Sequence, residues 1–542
     1  MQKNWQIDWL LWGSIWLLLV IIPLWSRPLL PIDETRYVSV AWEMWNRGNW
    51  LVPFLNGEVY YHKPPLLFWL IHWGWGIFGV NEWWPRLLPG LFSLGSLLLT
   101  RQLASQLWPK NPLISQYATW ILLSCCWWSI FTSAVMFDML LTFFTLLGLV
   151  ALLKIGQKCS LSGWGLFGLA LGLGILTKGP VMLLHLLPVA VLAPMWQSHR
   201  AYSWRFWYGG LLGSVVLGSL IALSWAIPAS VAGGEEFRQA IFWGQTAHRL
   251  VNSFAHNHPV WWYFPLLPLL FFPWLFWLPW WRAWLQLPQH FHHEGVRFCL
   301  AWLLPVLTLL CLISGKQPHY LLPLFPAFAL LSAYLLIQLS LEQQHRHGDT
   351  LLLSLIIILI ALLLLVLHHW FVKYLAQGMT SINLITEISL LLLASVLLKW
   401  PIAYFRQRLI LLISSVGILV SLIVPISLVR SAGLAYDLRE LSNNISIIQN
   451  NTPTIAIANF GDYQGQYQFL GRLTRPLAVV DEYSICAWLI QHQDGKLIVY
   501  FDSAYQTLSG YSRYLQPYRS KSVGILDAPF LSSACVKIMP LP

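Results

Sequence analysis

Charge is what this sequence has least of: Asp, Glu, Lys and Arg together make up 10% of its 542 residues. A soluble globular domain carries about 25% charged residues. A chain that is 57% hydrophobic, with a mean hydropathy of +0.61, therefore has too little polar surface to face water on all sides. Runs of like charge are missing too. The 32 Lys and Arg come one or two at a time between apolar runs, with no basic block and no aromatic-basic stripe. That pattern excludes a nucleic-acid surface in spite of a formal charge of +11. The seven cysteines show no CxxC spacing, so no zinc or redox motif is indicated. No small-x-small cleavage site accompanies the first apolar run, Trp9 to Trp25, which is also long for a signal peptide and reads as a retained anchor.

What the chain does have is apolar runs and 34 tryptophans. A bilayer span needs about 20 predominantly apolar residues. Candidate spans lie near 9–26, 87–107, 112–131, 138–154, 163–177, 180–196, 207–230, 261–281, 298–314, 320–340, 351–372, 385–398 and 409–429. The fold class expected is mainly α, a polytopic membrane protein of about 13 transmembrane helices. With the Trp-rich stretch Lys63 to Val80 read as an interfacial helix, the cations Arg101, Lys110, Lys154, Lys158, Arg200, Arg205, Arg282, Arg297, Arg346, Lys399, Arg406 and Arg408 share the side of Lys3. The positive-inside rule makes that side cytoplasmic.

An odd number of spans puts the C-terminus outside. From Ser431 the texture changes to short strand-like runs bounded by Gly, Pro, Asn and Asp, such as "TPTIAIANFGDYQ", "PLAVVDEYS" and "KLIVYFDSAY". The expected division is a transmembrane domain over 1–430, with exterior loops 27–86 and 231–260, followed by a small exterior α/β domain over 431–542. Cys486 and Cys535 in that domain are open to two readings, a disulfide or two free thiols.

The exterior side then holds Asp33, Glu34, Arg36, Lys63, Asp138, Lys178, Arg249, Lys316, His319 and Tyr320, most of them beside an apolar boundary. Each has a plain structural reading when taken singly. Asp33 and Asp138 open helices and suit their N-termini. Lys178 and Lys316 are placed to snorkel, and His319 to sit at the interface. An ionisable group costs roughly 2.5–3.5 kcal/mol at the centre of a membrane helix and less near its ends, so convergence of so many on one face calls for a task. Carboxylates accept a proton from an acceptor hydroxyl or amine, or hold a metal, while Lys and Arg neutralise a departing phosphate.

The stretch "DETRYVSVAWEMWNRGNWLVPFLNGEVYYHKPPLLFWL", with "NEWWPRLLPGLFSL", "FDMLL", "ILTKGP" and "KQPHYLLPLFP" following in order, resembles the GT-C glycosyltransferases related to bacterial aminoarabinose (lipid A) transferases and dolichyl-phosphate-mannose protein O-mannosyltransferases. The resemblance covers most of the membrane region and implies the GT-C fold. It also implies transfer, with inversion, of a sugar from a polyprenyl-phosphate carrier of the undecaprenyl or dolichyl type to a lipid A-like glycolipid, a protein or another acceptor. The membrane implied is the bacterial inner one, with the N-terminus cytoplasmic and the C-terminal domain periplasmic. By motif, Asp33 corresponds to the catalytic carboxylate, with Glu34 beside it and Asp138 at a second acidic position. Lys63, Lys178, Arg249 and Tyr320 match positions implicated in holding the carrier phosphate, with Lys316 and Arg36 as further candidates. The chain departs from the lipid A branch at His62, where that branch usually has an acid, and at Gln245 and Thr246. Sugar identity and a divalent metal are thereby left open, Glu34 and His62 being the candidate metal ligands. The competing reading is a transporter or flippase for an anionic lipid or polyprenyl-phosphate sugar, with a non-catalytic scaffold behind it.

Overall fold

A computed structural model describes residues 2–158, 160–198, 202–242, 257–340, 348–375, 381–399, 406–452, 454–501 and 512–528. Arg249, Cys535 and part of the loop 231–260 lie outside the described residues. The chain forms two compact units. One comprises Met1–Ser26, Tyr61–Leu67 and Trp83–Ser427; the other comprises Arg27–Tyr60, Phe68–Glu82 and Leu428–Pro542.

In the first unit, apolar length dictates helices, because a chain in hydrocarbon must satisfy its own backbone groups. Among the described residues eight helices are long and apolar enough to cross a membrane, including Asp138–Gln157, Leu161–Lys178 and Pro318–Gln338. Shorter apolar helices include Val181–Val191, Leu351–Leu367 and Ile385–Leu398. Three stretches that hydropathy marks as spans are interrupted. Residues 112–131 break at Cys125, whose extended backbone separates helices Pro112–Ser124 and Cys126–Phe131. Helix Val181–Val191 gives way to the short helix Ala193–Trp196, with prolines at 188 and 194. The stretch 261–281 becomes a succession of short helical turns punctuated by Pro265, Pro268, Pro273 and Pro279. Proline has no N–H to give, so an apolar run rich in it cannot close one helical ladder.

Small residues set how closely the spans approach. A Cβ at Gly168 would lie 3.0 Å from the Ser214 carbonyl oxygen, and one at Gly417 only 2.1 Å from the Ser124 carbonyl oxygen and 2.7 Å from Pro273 Cδ. Backbone cannot yield as a side chain can. Gly417→Ala is therefore expected to destabilise the membrane unit by about 1–3 kcal/mol through overpacking. Gly213→Ala is the control, since a Cβ there meets nothing within 4 Å. Thermal unfolding of both variants in detergent checks the contrast. Elsewhere in the unit Asp8 accepts from Arg101 at 3.1 Å, Gln116 at 2.8 Å and Trp120 at 2.9 Å, a buried carboxylate with its partners supplied by two helices.

The second unit is built on a five-stranded sheet of order β4-β3-β5-β7-β6, comprising β3 (Ile457–Phe460), β4 (Ala478–Val480), β5 (Lys496–Phe501), β6 (Ser512–Tyr518) and β7 (Lys521–Asp527). Strands β4, β3 and β5 are parallel; β7 and β6 add antiparallel. Pro517 is tolerated because β6 is an edge. One face packs Leu441 and Ile445 of helix Arg439–Asn451 against Ile457, Ile498, Val523 and Ile525; the other packs Trp488 and Leu489 of helix Ile485–Gln491 against Leu497 and Leu526.

Most of the first loop belongs here rather than with the spans to which the sequence assigns it. Within this unit Trp42 Nε1 donates to the Leu473 carbonyl at 2.9 Å, and Trp75 stacks on Phe469 with ring centroids 5.4 Å apart. Strands β1 (Phe54–Leu55) and β2 (Glu58–Val59) form a hairpin through Asn56 and Gly57, both at positive φ, the pair that a two-residue turn favours. The Asn56 side chain then bonds both backbone groups of Leu477, at 2.8 and 2.9 Å. These ties are side chain to backbone across some 420 residues, which is why composition assigns the loop elsewhere. Cys486 is disulfide-bonded in this unit, and Cys125, Cys126, Cys299 and Cys311 in the other are free.

Candidate functional site

Within the membrane unit, two consecutive helices bring opposite charges together. Helix Asp138–Gln157 has its acid in the first turn, where the dipole favours a negative charge. Helix Leu161–Lys178 follows after a short connection and has its base in the last turn, where the dipole favours a positive one; Gly179, at φ +80°, ends it. The two helices have similar lengths and run back along each other, so the start of one meets the end of the other. Lys178 Nζ donates to Asp138 Oδ1 at 2.6 Å, with the side chains 8% and 1% exposed.

Around this pair the other predicted groups gather. The Lys178 ammonium lies 4.2 Å from the centroid of the Tyr320 ring. Tyr320 sits in the 3-10 turn Pro318–Leu324, edge-on to His319 at 4.9 Å, and His319 stacks on Phe131 at 5.8 Å. Lys63 Nζ stands 5.8 Å from the ring centroid of Phe137, the residue before Asp138. Lys178, His319 and Lys63 all lie within electrostatic reach of Asp138. Asp138, Lys178, Lys63, His319 and Tyr320 thus form one cluster. Its cations outnumber its single carboxylate, a composition suited to an anion.

Lys316 is not part of it as a free cation. Its Nζ donates to the carbonyls of His258 at 2.8 Å and Ile313 at 2.5 Å, and the residue is 1% exposed. Together with the bridge between Asn257 and Gly315, it ties residues 257–258 to the end of helix Glu294–Leu312. His62, a candidate metal ligand, packs its ring on Tyr61 at 4.6 Å. Among the described residues no three His, Cys, Asp or Glu side chains come together as metal donors.

In the other unit the acidic doublet separates into two environments. Glu34 is buried, and Arg27 grips it with two bonds, Nη1 to Oε2 at 2.5 Å and Nη2 to Oε1 at 3.0 Å, while the Leu30 N–H adds a third at 2.8 Å. Three of the carboxylate's roughly four acceptor positions are taken by these donors, which argues against both catalytic and metal-binding roles. Asp33, the first residue of helix Asp33–Asn46, has a side chain 52% exposed and pairs with Arg36 one turn on. Arg36 in turn reaches Gln464 Oε1 at 2.5 Å. Its two Nη groups are taken by these partners, while its buried Nε has no hydrogen-bond partner among the described residues.

Three residues here escaped the sequence. Arg27, beyond the end of the first span, reads there as an ordinary flanking cation. Gln464 sits in a stretch of turns with no pattern to mark it. His185 lies on an apolar helix, 1% exposed; Lys178 and Asp138 both act on it, and its Nδ1 has no hydrogen-bond partner among the described residues. Only its rarity in hydrocarbon could have flagged it.

Comparison with known proteins places these geometries in context. The model of the dolichyl-phosphate-mannose-protein mannosyltransferase family matches residues 5–231. An undecaprenyl phosphate-alpha-4-amino-4-deoxy-L-arabinose arabinosyl transferase of Pseudomonas fluorescens is 34% identical over 368 residues, 66% of this chain and 64% of that protein. The corresponding transferase of Pseudomonas aeruginosa is 33% identical over 330 residues, 59% of this chain and 58% of that one. The matched stretch thus spans less than two thirds of these relatives' length. The crystal structure of ArnT from Cupriavidus metallidurans bound to undecaprenyl phosphate superposes with a TM-score of 0.73 at 20% identity, covering 97% of this chain and 98% of that one. The fold is therefore shared end to end, and the chain resembles the GT-C glycosyltransferases of the aminoarabinose and mannosyl branches.

Proposed function

We propose that this multi-pass membrane protein, with the fold of ArnT, is a glycosyltransferase that takes a sugar from a polyprenyl-phosphate carrier and places it on a lipid A-like glycolipid, a protein or another acceptor at the outer face of a bacterial inner membrane. The observation that carries the reading is the cation-rich cluster at the ends of the spans, where Lys178, fixed by Asp138, lies beside Tyr320, Lys63 and His319. A phosphate diester-like headgroup on a hydrocarbon tail is the ligand whose two halves suit that position.

In the reaction the acceptor oxygen or nitrogen attacks the anomeric carbon, its bond to the phosphate oxygen breaks, and the electron pair leaves with the phosphate. Asp33 receives the acceptor's proton, and the anomeric configuration inverts. Lys178 and Lys63 meet the charge that develops on the departing phosphate, a preorganised electrostatic contribution of the kind that often dominates such steps. The scatter of Lys and Arg at the opposite ends of the spans supports a cytoplasmic N-terminus and an exterior C-terminal domain.

The test uses the full-length protein in lipid vesicles with undecaprenyl-phosphate sugars labelled in the sugar, and outer-envelope extract as acceptor. Label is expected to leave the carrier and appear on a new lipid or protein. Label that crosses the bilayer still attached to its carrier would instead make the protein a flippase and overturn the proposal.

A further inference from the structure

Open α/β sheets take their ligands in the crevice at the carboxyl ends of the strands where the strand order reverses. In the sheet of order β4-β3-β5-β7-β6 the chain goes on from β3 to β4 on one side and from β5 to β6 and β7 on the other, so the strand order reverses between β3 and β5 and the crevice lies at their carboxyl ends. Here the chain fills it with its own polar groups. Tyr500 Oη donates to Asn459 Oδ1 at 3.0 Å and accepts from Gln466 Nε2 at 2.9 Å, and the Tyr467 and Tyr500 hydroxyls share a further hydrogen bond. Asn459, Gln466 and Tyr467 are buried. Burial pushes the Tyr467 and Tyr500 hydroxyls up, so they stay neutral and the network keeps one arrangement at every physiological pH.

The connection that enters this crevice, residues 461–473, is also the one that grips the Asp33 helix. The Ser39 hydroxyl donates to the Gly465 carbonyl at 2.5 Å and accepts from the Phe469 N–H at 3.1 Å. Gln464 stands between the two systems. Its N–H donates to Gln466 Oε1 at 2.9 Å, and its Oε1 accepts from Arg36 Nη1, whose other nitrogen, Nη2, donates to Asp33.

We propose that Gln464 is a positioning residue for Asp33, acting through Arg36, so that the C-terminal domain uses its strand-end crevice to aim the base and not to bind a ligand. The inference rests on the reading of Asp33 as the base. A half-exposed aspartate with a single flexible partner would sample several rotamers. An arginine fork held at both ends restricts it to one.

The experiment measures transfer kinetics and thermal unfolding for Gln464→Leu, Gln464→Glu, Arg36→Lys, the double variant Arg36→Lys/Gln464→Leu, and Asp33→Asn. Gln464→Leu is expected to lower kcat by roughly ten- to a hundredfold, with KM for the carrier-linked sugar unchanged. Gln464→Glu, which keeps an acceptor for Arg36, restores kcat. In the Arg36→Lys background the leucine substitution adds no further loss, because the path through Arg36 is already cut. Wild-type kcat in Gln464→Leu, or losses that multiply in the double variant, would overturn the inference. So would a fall in kcat that Gln464→Glu does not rescue and that follows a lowered unfolding temperature. If Asp33→Asn keeps full transfer, the reading of Asp33 fails and the inference with it. If Asp33→Asn is inactive while Gln464→Leu is normal, the inference fails alone.

Discussion

Replacing Asp33 by Asn is expected to lower kcat by roughly 10²–10⁴-fold, the usual contribution of a general base, while leaving the unfolding temperature within a degree or two of wild type, an order-of-magnitude bound from surface ion pairs. Both halves follow from the environment of the side chain. It is 52% exposed, and its pair with Arg36 is an i,i+3 contact on a helix surface, so its charge holds up little of the fold. Asparagine keeps the shape and still accepts from Arg36, but it cannot take the acceptor's proton. Initial rates of label transfer, read beside tryptophan fluorescence melting, separate the two effects.

The neighbouring carboxylate is expected to behave in the opposite way. Glu34 and Arg27 have side chains only 5% and 8% exposed, and Glu34→Gln strands a buried guanidinium. Breaking a buried pair costs about 3–5 kcal/mol, so this variant loses stability, and the fraction that remains folded turns over at the normal rate. The assignment of roles within the doublet is reversed if Glu34→Gln is inactive with its fold intact.

That division could not be read from the sequence. "DE" offers two carboxylates of equal chemistry, and what distinguishes them is Arg27, seven residues back across Pro28 and Pro31, whose reach no spacing rule encodes. The pairing of Asp138 with Lys178 was nearer to legible. Asp138 opens one span and Lys178 closes the next, and two helices of 20 and 18 residues joined by a short turn must bring those two ends together. Lys316 sits in the same kind of position yet spends its charge on carbonyls, because local backbone needed donors there. Most spans were legible as apolar runs, including helices that carry an internal proline such as Pro305 and Pro425, but 112–131, 180–196 and 261–281 were misread as continuous, since hydropathy counts side chains and not backbone hydrogen bonds. In the C-terminal domain the parallel strands showed as apolar runs. The hairpin β6–β7 did not, because an edge strand carrying Arg513, Gln516 and Pro517 has no such run to show.

Lys178→Met is expected to lower kcat by roughly 10²–10³-fold, the loss of one preorganised charge at a departing anion, and to destabilise the membrane unit as well. The second effect arises because Asp138, 1% exposed, is left ionised without its partner, a cost of about 3–5 kcal/mol. Adding Asp138→Leu to that variant removes the stranded carboxylate and is expected to recover stability, since an apolar pair in hydrocarbon is at least as stable as a buried ion pair. Activity does not return, because the charge that Lys178 supplied to the phosphate is still missing and Lys63 alone is left to meet it. Asp138→Asn is the informative single change. It leaves Lys178 charged and unneutralised, so an anion that reaches it should stabilise this variant more than the wild type. Undecaprenyl phosphate is therefore expected to raise the unfolding temperature of Asp138→Asn by more than it raises that of the wild type, and to shift Lys178→Met least of the three. Equal shifts in all three proteins would place the carrier phosphate away from Lys178, and the cluster would then be a structural ion pair at the ends of two spans.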